Sequence, residues 1–479
     1  MYAIETAASV VICLSMVYLL MLMGAGLVQL RRARARLAVQ GTATYGSAVV
    51  ATPVETPVYF LVPCLNEEAV IGQTVAGLTK LAGTTTVVID DGSDDHTARC
   101  AEQAGGFGVE VLRRDLPEAR RGKGEALNAG VAWVRRRVAE LGQDPEQVIV
   151  CVMDADGRLS DGALDHVLPL FADEKVGGVQ LQVRIRNRGS FLTRFQDYQF
   201  WAIAAVTQFG RQATGTVSLG GNGQFARLSA LNMAGEKPWS ASLTEDLDLA
   251  ITLALQGWEL QSTPHASVDQ QAVERLGPLV RQRTRWYQGH MMAILRLPEI
   301  WRSRELSHGR ALELTSYCLV PWLLDLPWSI LFHYCLIMLV LRWNDLSILS
   351  SGDGTATVII AAAFYLLAFA PALATGLIYH RRDRRWGLLK SLAMGNAVIV
   401  TNYLSFACVW RALFRILRGQ TSWDKTSRIR ETGGQPSPAA TGAAAAVAPV
   451  LSTQAGVDGA GEWKPSRAKG SRLDRKRAQ

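Results

Sequence analysis

"QVIVCVMDAD" (residues 147–156) decides the fold. Val148–Met153 is an unbroken apolar run, and it stops on Asp154-Ala155-Asp156. A short run rich in Val and Ile, closed by polar residues, reads as a strand buried on both faces. "PVYFLVP" (57–63), "TTVVIDD" (85–91) and "VEVLRR" (109–114) have the same character. Between them lie "EEAVIGQTVAGLTKLA", "HTARCAEQAG" and "GEALNAGVAWVRRRVAEL", with apolar residues three and four apart. This β-α-β alternation predicts a mostly parallel sheet with helices on both faces. Polar chemistry then gathers at the carboxyl ends of the strands.

Each strand end carries candidates. In an extended chain Asp154 and Asp156 point to the same side. Two carboxylates there call for a hard divalent cation, Mg²⁺ or Mn²⁺, completed by phosphate and water. "VVIDDGSDDHT" (87–97) ends a strand in Asp90 and Asp91 before a Gly-Ser turn. These acids are placed to accept hydrogen bonds from a ribose or a base N–H. The structural alternative is a solvated turn with Asp94 capping the next helix. In "VPCLNEEAVI" (62–71), Asn66 suits a helix cap, and Glu67 and Glu68 suit the positive helix end.

"RRGKGEALNAG" (120–130) sets Lys123 between two glycines at a helix start, which favours an anion such as a diphosphate. The Walker spacing is absent. "SLTEDLDLAITLALQGWEL" (242–260) packs Glu245, Asp246 and Asp248 at a helix mouth, with Thr244 as a cap. Beside a metal and a lysine, a carboxylate there can serve as general base. "RQRTRWYQGH" (281–290) gathers Arg281, Arg283 and Arg285 around Trp286. Arginine can neutralise a leaving diphosphate, and an indole can stack on a sugar.

The chain has 479 residues, 49% hydrophobic and 19% charged, a balance that leans toward membrane. Residues 6–29 hold no charge, long enough for a span and too long for a signal peptide. "RRARAR" (31–36) follows and puts the next segment in the cytoplasm. Apolar segments recur at about 312–341, 357–379 and 388–410, the last interrupted by Asn396, Thr401 and Asn402. The formal charge of +8 collects largely in "RRARAR", "HRRDRR" (380–385) and "RLDRKR" (472–477), a membrane orientation signal and not a nucleic-acid groove. The seven cysteines are scattered without C-x-x-C, as expected for reduced thiols. The resulting organisation is a helix and basic stop over 1–40, an α/β domain over 41–300, apolar helices over 301–431 and a low-complexity, disordered tail over 432–479.

"VVIDDGSDD", "DAD", "TED" and "QRTRW", in this order and followed by apolar segments, resemble the membrane-embedded family 2 glycosyltransferases. These are the cellulose, hyaluronan and poly-N-acetylglucosamine synthases, and the resemblance covers roughly residues 57–290. It implies a GT-A fold, a Rossmann-like nucleotide-sugar domain, joined to α-helical transmembrane segments. It implies that Asp90 and Asp91 hold uridine with Pro63, Asn66, Glu67 and Lys123, and that Asp154 and Asp156 hold the metal and diphosphate. Within Thr244-Glu245-Asp246, Asp246 is the implied base. Gln282, Arg283, Arg285 and Trp286 line the acceptor and diphosphate end. "GGNGQFARLSAL" (220–231) is similar to the family's acceptor loop, although "FARLS" departs from its paired arginines. "WDKTSR" (423–428) is similar to its cytoplasmic end.

The implied activity is inverting, metal-dependent transfer from a UDP-sugar, UDP-N-acetylglucosamine or UDP-glucose, extending a β-linked polysaccharide processively with export. The alternative is one sugar added to a lipid acceptor. A non-enzymatic scaffold has no use for such a repulsive acid cluster. The implied location is the plasma membrane, multi-pass, with the catalytic domain cytoplasmic. Membrane lipids and accessory export or regulatory subunits are the further partners, and nucleic acid is not one.

Overall fold

A computed structural model describes residues 20–32, 56–341 and 354–420, with scattered positions among 6–18. The 6–29 segment is therefore described in part. "WDKTSR", most of "RRARAR", the low-complexity tail and its basic end lie outside the described residues.

The α/β part begins β1 (Val58–Cys64), α1 (Ile71–Leu78), β2 (Thr84–Asp90), α2 (Thr97–Gly105), β3 (Val109–Arg113), α3 (Lys123–Glu140) and β4 (Ile149–Val152). It continues β5 (Arg158–Leu159), β6 (Val176–Ile185), α4 (Phe191–Tyr198), β7 (Gln224–Arg227), α5 (Glu245–Leu255), β8 (Glu259–Gln270) and α6 (Leu276–Met292). After it come α7 (His308–Val320), α8 (Leu326–Leu341), α9 (Gly354–Arg382), α10 (Leu388–Asn396) and α11 (Val398–Leu417).

The eight strands form one sheet in the order β3-β2-β1-β4-β7-β6-β8-β5. The β3-β2-β1-β4 half is parallel. Side chains alternate across it, as the pleat requires. In β1, Phe60 and Val62 enter the core on one face, with Ile71 and Val75 of α1. Tyr59 and Leu61 enter the other, with Leu127 and Val131 of α3. Both faces are covered, so the strands read as continuous apolar runs.

The second half is mixed, which corrects the expectation of a mostly parallel sheet. β7 runs antiparallel to both β4 and β6, β8 parallel to β6, and β5 antiparallel to β8. "QFAR" of β7 is four residues without apolar alternation; its strand state comes from its two neighbours.

Among the described residues, one helix, His308–Met338, is long and apolar enough to cross a membrane. The pair α10 and α11, bent by 44°, passes the same test taken together. This is fewer than the apolar segments of the sequence suggested. The helical part packs on the α/β part: α6 lies along α11, where the Arg415 guanidinium Nε donates to Gln288 Oε1 at 2.7 Å.

Candidate active site

The carboxyl ends of β1, β2 and β4 open onto a cleft of about 420 Å³. Its lining includes Pro63, Glu67, Asp91, Lys123, Asp154, Thr244, Glu245, Asp246, Gln282, Arg285 and Trp286. Residues more than 190 positions apart in the chain thus face one space.

At the β2 end the adjacent acids separate. Asp91 lines the cleft, and the Arg114 guanidinium, from the segment after β3, pairs with its Oδ1. Burial raises the Asp91 carboxyl above the ordinary range, and Arg114 opposes the rise. Asp90 does not line the cleft. Its Oδ1 accepts from the Ser93 backbone N–H at 3.0 Å and ties down the Gly-Ser turn. Asn66 also differs from expectation. It has a positive φ of 53°, and α1 starts only at Ile71. Instead of capping, Asn66 stitches two loops: its N–H donates to Ser93 Oγ at 2.9 Å and its Oδ1 accepts from Asp94 N–H at 2.8 Å. Asp95, not Asp94, accepts from the first N–H of α2, that of Thr97, at 3.0 Å.

The acid cluster of residues 245–248 is answered by cations on two sides. The Arg296 guanidinium pairs with Asp248 outside the cleft. Lys123, the first residue of α3, sits among the others. Its Nζ donates to Asp154 Oδ1 at 2.6 Å and to the Gly221 carbonyl at 2.8 Å. Burial alone would lower the Lys123 pKa; Asp154, Glu245 and Asp246 more than offset this and raise it. Burial raises both Glu245 and Asp246 above the usual carboxylate range, against the pull of Lys123 and Arg285. Asp246 Oδ1 accepts from the Leu247 N–H at 2.8 Å, which aims the carboxylate.

Close approach of α6 places "TED" beside "QRTRW". A Cβ built on Gly289 of α6 would lie 2.5 Å from Thr244 Oγ1, so the contact needs a glycine. Thr244 occupies the cap position of α5 without a side-chain cap bond. On α6, Gln282, Arg285 and Trp286 fall at i, i+3 and i+4 and line the cleft together. Arg283 points elsewhere, which corrects its assignment to the cleft. Its guanidinium packs 4.5 Å from the Trp286 ring and donates to Gln199 Oε1 at 3.0 Å.

The D-A-D pair does not act as an extended dipeptide. β4 ends at Val152, and the chain turns at 154–157, where Gly157 N–H donates to Asp154 O at 2.8 Å. Asp154 faces the cleft; Asp156 is buried away from its lining, and its Oδ2 accepts from Gln271 N–H at 2.8 Å. Among the described residues no three His, Cys, Asp or Glu side chains are grouped to hold a metal ion. The cleft's single carboxylate from this motif fits an ion whose other ligands are diphosphate and water, and does not fit a dedicated protein cage.

Several lining residues had no motif to announce them. Gln180 of β6 bridges the "GGNG" loop, its Oε1 accepting from Gly220 N–H at 2.7 Å and its Nε2 donating to Asn222 O at 2.8 Å. Asn222 Oδ1 accepts from Asp154 N–H at 3.1 Å. The signal for Gln180 and Gln182 was present: two glutamines alternate inside the otherwise apolar "VGGVQLQV". Arg227 of "FARLS" stays outside the cleft; buried, it donates to the carbonyls of Phe171 at 2.7 Å and Val176 at 3.3 Å.

Residues 56–289 match the model of the family described as glycosyltransferase like family 2. The chain carries a family 2 glycosyltransferase domain. Its curled mixed sheet is of the GT-A kind. This glycosyltransferase domain is 33% identical over 276 residues to the beta-monoglucosyldiacylglycerol synthase of Trichormus variabilis, covering 56% of each chain. It is 29% identical over 243 residues to the poly-beta-1,6-N-acetyl-D-glucosamine synthase of Staphylococcus epidermidis, covering 50% of this chain and 55% of that one. The match thus spans about half the length of these curated relatives. The crystal structure of S. aureus TarS 1–349 with UDP-GlcNAc aligns over 79% of this chain and 98% of that one, at 13% identity and a TM-score of 0.39.

Proposed function

We propose that this glycosyltransferase moves a hexose from a UDP-sugar to an acceptor hydroxyl at a membrane, with inversion. One observation carries the reading: Asp246, Lys123, Arg285, Asp154 and Asp91 face a single cleft, so a base, cations for a diphosphate and an acceptor of nucleoside hydrogen bonds stand together. Asp91, held by Arg114, receives the uridine. The diphosphate lies toward Lys123, the positive end of α3 and Arg285. Asp246 takes the proton of the acceptor hydroxyl. The new C–O bond forms at the anomeric carbon as its bond to the diphosphate oxygen breaks on the opposite face. Lys123 and Arg285 neutralise the charge that develops there.

A divalent ion, Mg²⁺ or Mn²⁺, would enter with the nucleotide on Asp154 and neutralise the departing diphosphate. Excess EDTA is then expected to cut turnover by more than about 100-fold, with recovery on added Mg²⁺ or Mn²⁺. Full activity in EDTA would remove the ion from the reaction.

For the product, we propose processive extension of a β-linked polysaccharide with the helix at 308–338 as a membrane anchor, the catalytic domain cytoplasmic and export as the outcome. The second reading is transfer of a single sugar to a lipid. The 33% identity to a monoglucosyldiacylglycerol synthase, against 29% to a polysaccharide synthase, favours it. Membranes containing the enzyme, given labelled UDP-glucose or UDP-N-acetylglucosamine, separate the two. Long chains that grow while short ones stay scarce support polymerisation; a one-sugar lipid selects the second reading. No transfer from either donor sinks both.

A further inference from the structure

The stretch "RRDRRWGLLK" (381–390) joins α9 to α10 and carries five cations and one acid. The acid is spent inward. Asp383 is 9% exposed, and its Oδ2 accepts from Arg184 of β6 at 2.9 Å, from Arg188 at 3.0 Å and from Arg194 of α4 at 3.3 Å. Arg184 and Arg188 also approach the buried Asp197, at 3.8 and 3.6 Å. Three guanidiniums thus meet two carboxylates, and neither acid is left to answer the cations outside. Arg382 points inward too: it donates to the cleft-lining Gln182 and lies 3.7 Å from the Trp201 ring. The joint between the helices is therefore fastened to the α/β part.

Its outer face is different. Arg381, Arg384, Arg385 and Lys390 are exposed and have no carboxylate partner among the described residues. Solvation by water accounts for exposed cations, but not for the leucines beside them. Leu388 and Leu389 stand between Arg385 and Lys390 and are 42% and 81% exposed. On the other side, α9 carries exposed Val358, Ile359, Leu366 and Leu377 ahead of its basic end. Apolar turns, then cations with leucines among them, is the order met on leaving hydrocarbon for phosphate headgroups. A nucleic-acid groove has no use for the leucines, and a site for soluble phosphate has no use for the apolar approach.

Two donors behind this face are also unanswered. Arg194 Nε and the indole Nε1 of Trp386 are buried and lack a hydrogen-bond acceptor among the described residues. The Trp386 ring lies 4.1 Å from the Arg194 guanidinium and 5.2 Å from Lys390 Nζ, which holds the lysine beside them.

We propose that residues 381–390 form a binding site for the headgroup phosphate of an anionic phospholipid. Arg384, Arg385 and Lys390 receive the phosphate, and Leu388 and Leu389 meet the start of its acyl chains. Through Asp383 and Arg382 the site seats the catalytic part on an anionic leaflet, whichever sugar is moved. It rests on the placement of the chain at a membrane and not on the transfer chemistry.

The test titrates the full chain, in neutral detergent, with dioctanoyl phosphatidylglycerol, dioctanoyl phosphatidylcholine and inorganic phosphate, and reads binding by thermophoresis. Phosphatidylglycerol should bind saturably, and more weakly as salt is added. A cation at an anionic surface is worth about fivefold, so Arg384→Gln with Arg385→Gln should weaken binding about 25-fold. Lysine at both positions should keep it within about threefold, since the charge is retained. All these side chains are exposed, so the variants should fold. Leu389→Ser, which leaves every charge in place, should weaken lipid binding by itself. Equal binding of phosphatidylcholine, unchanged binding in the glutamine pair or in Leu389→Ser, loss in the lysine pair, or displacement of the lipid by equimolar inorganic phosphate or an RNA oligonucleotide overturns the site. Sedimentation without detergent separates the two failures. A chain left in the supernatant defeats the membrane placement; a membrane-bound chain whose glutamine pair binds lipid like wild type defeats this site alone.

Discussion

Asp246→Asn is expected to lower sugar transfer by about 10²–10⁴-fold while UDP binding persists. Asparagine has nearly the same shape and can still accept the Leu247 N–H that fixes the side chain at 2.8 Å. It cannot take a proton from the acceptor hydroxyl. The substitution also removes one of two adjacent carboxylates, the half-buried one beside buried Glu245, so loss of folding is not the expected cause of inactivity. Turnover and calorimetric UDP binding, measured together, check this. If activity stays within tenfold of wild type, the base is another group, and Glu245 is next to examine.

A pH dependence follows with a definite sign. Burial raises the Asp246 carboxyl, so the base is protonated, and idle, at a pH where an exposed aspartate still works. In the wild-type enzyme kcat should fall as pH drops, with an acid limb above the ordinary carboxylate range.

Lys123→Met should be the most damaging change to stability in the cleft. Nζ lies 2.6 Å from Asp154, and its charge also opposes the rise of Glu245 and Asp246. The pair is partly buried, with side chains 19% and 26% exposed, so removing one partner costs about 1–3 kcal/mol, less than for a fully buried pair. The loss has its own pH signature. Without Lys123 the Glu245 and Asp246 carboxyls rise further, and each raised acid binds its proton in the folded state more readily than in the unfolded chain. Folded-state stability is then recovered as pH falls and those groups protonate. Thermal unfolding at pH 8 and pH 5.5 should show the gap between variant and wild type narrowing at the lower pH. A gap of the same size at both would mean that Lys123 acts by packing and not by charge.

Much of the α/β half was legible because its signals are local. The runs ending at Cys64, Asp90 and Val152 are apolar enough to be strands wherever they fall, and Gly122 and Lys123 announce a helix start. The aims of the side chains just beyond those runs were not legible. Asp90 against Asp91, and Asp154 against Asp156, are pairs of one residue type within three positions. Only one member of each faces the cleft, because the turn that follows each strand rotates the other toward a backbone N–H. Arg283 escaped the cleft by helical phase, about 100° of rotation from its neighbour Gln282. Arg114 and Arg296, which answer Asp91 and Asp248, lie 23 and 48 positions from their partners and carry no motif.

By itself, the sequence determined the kind of domain, the strand ends where its polar groups meet, and the set of acids and cations that a nucleotide-sugar site requires. These follow from apolar periodicity and residue type, which act over a few positions. The tertiary structure alone decided the mixed half of the sheet, which member of each acidic pair is spent on a turn, and the engagement of Asp383 by three distant arginines. Each depends on segments far apart in the chain, whose approach is set by packing that no short stretch contains.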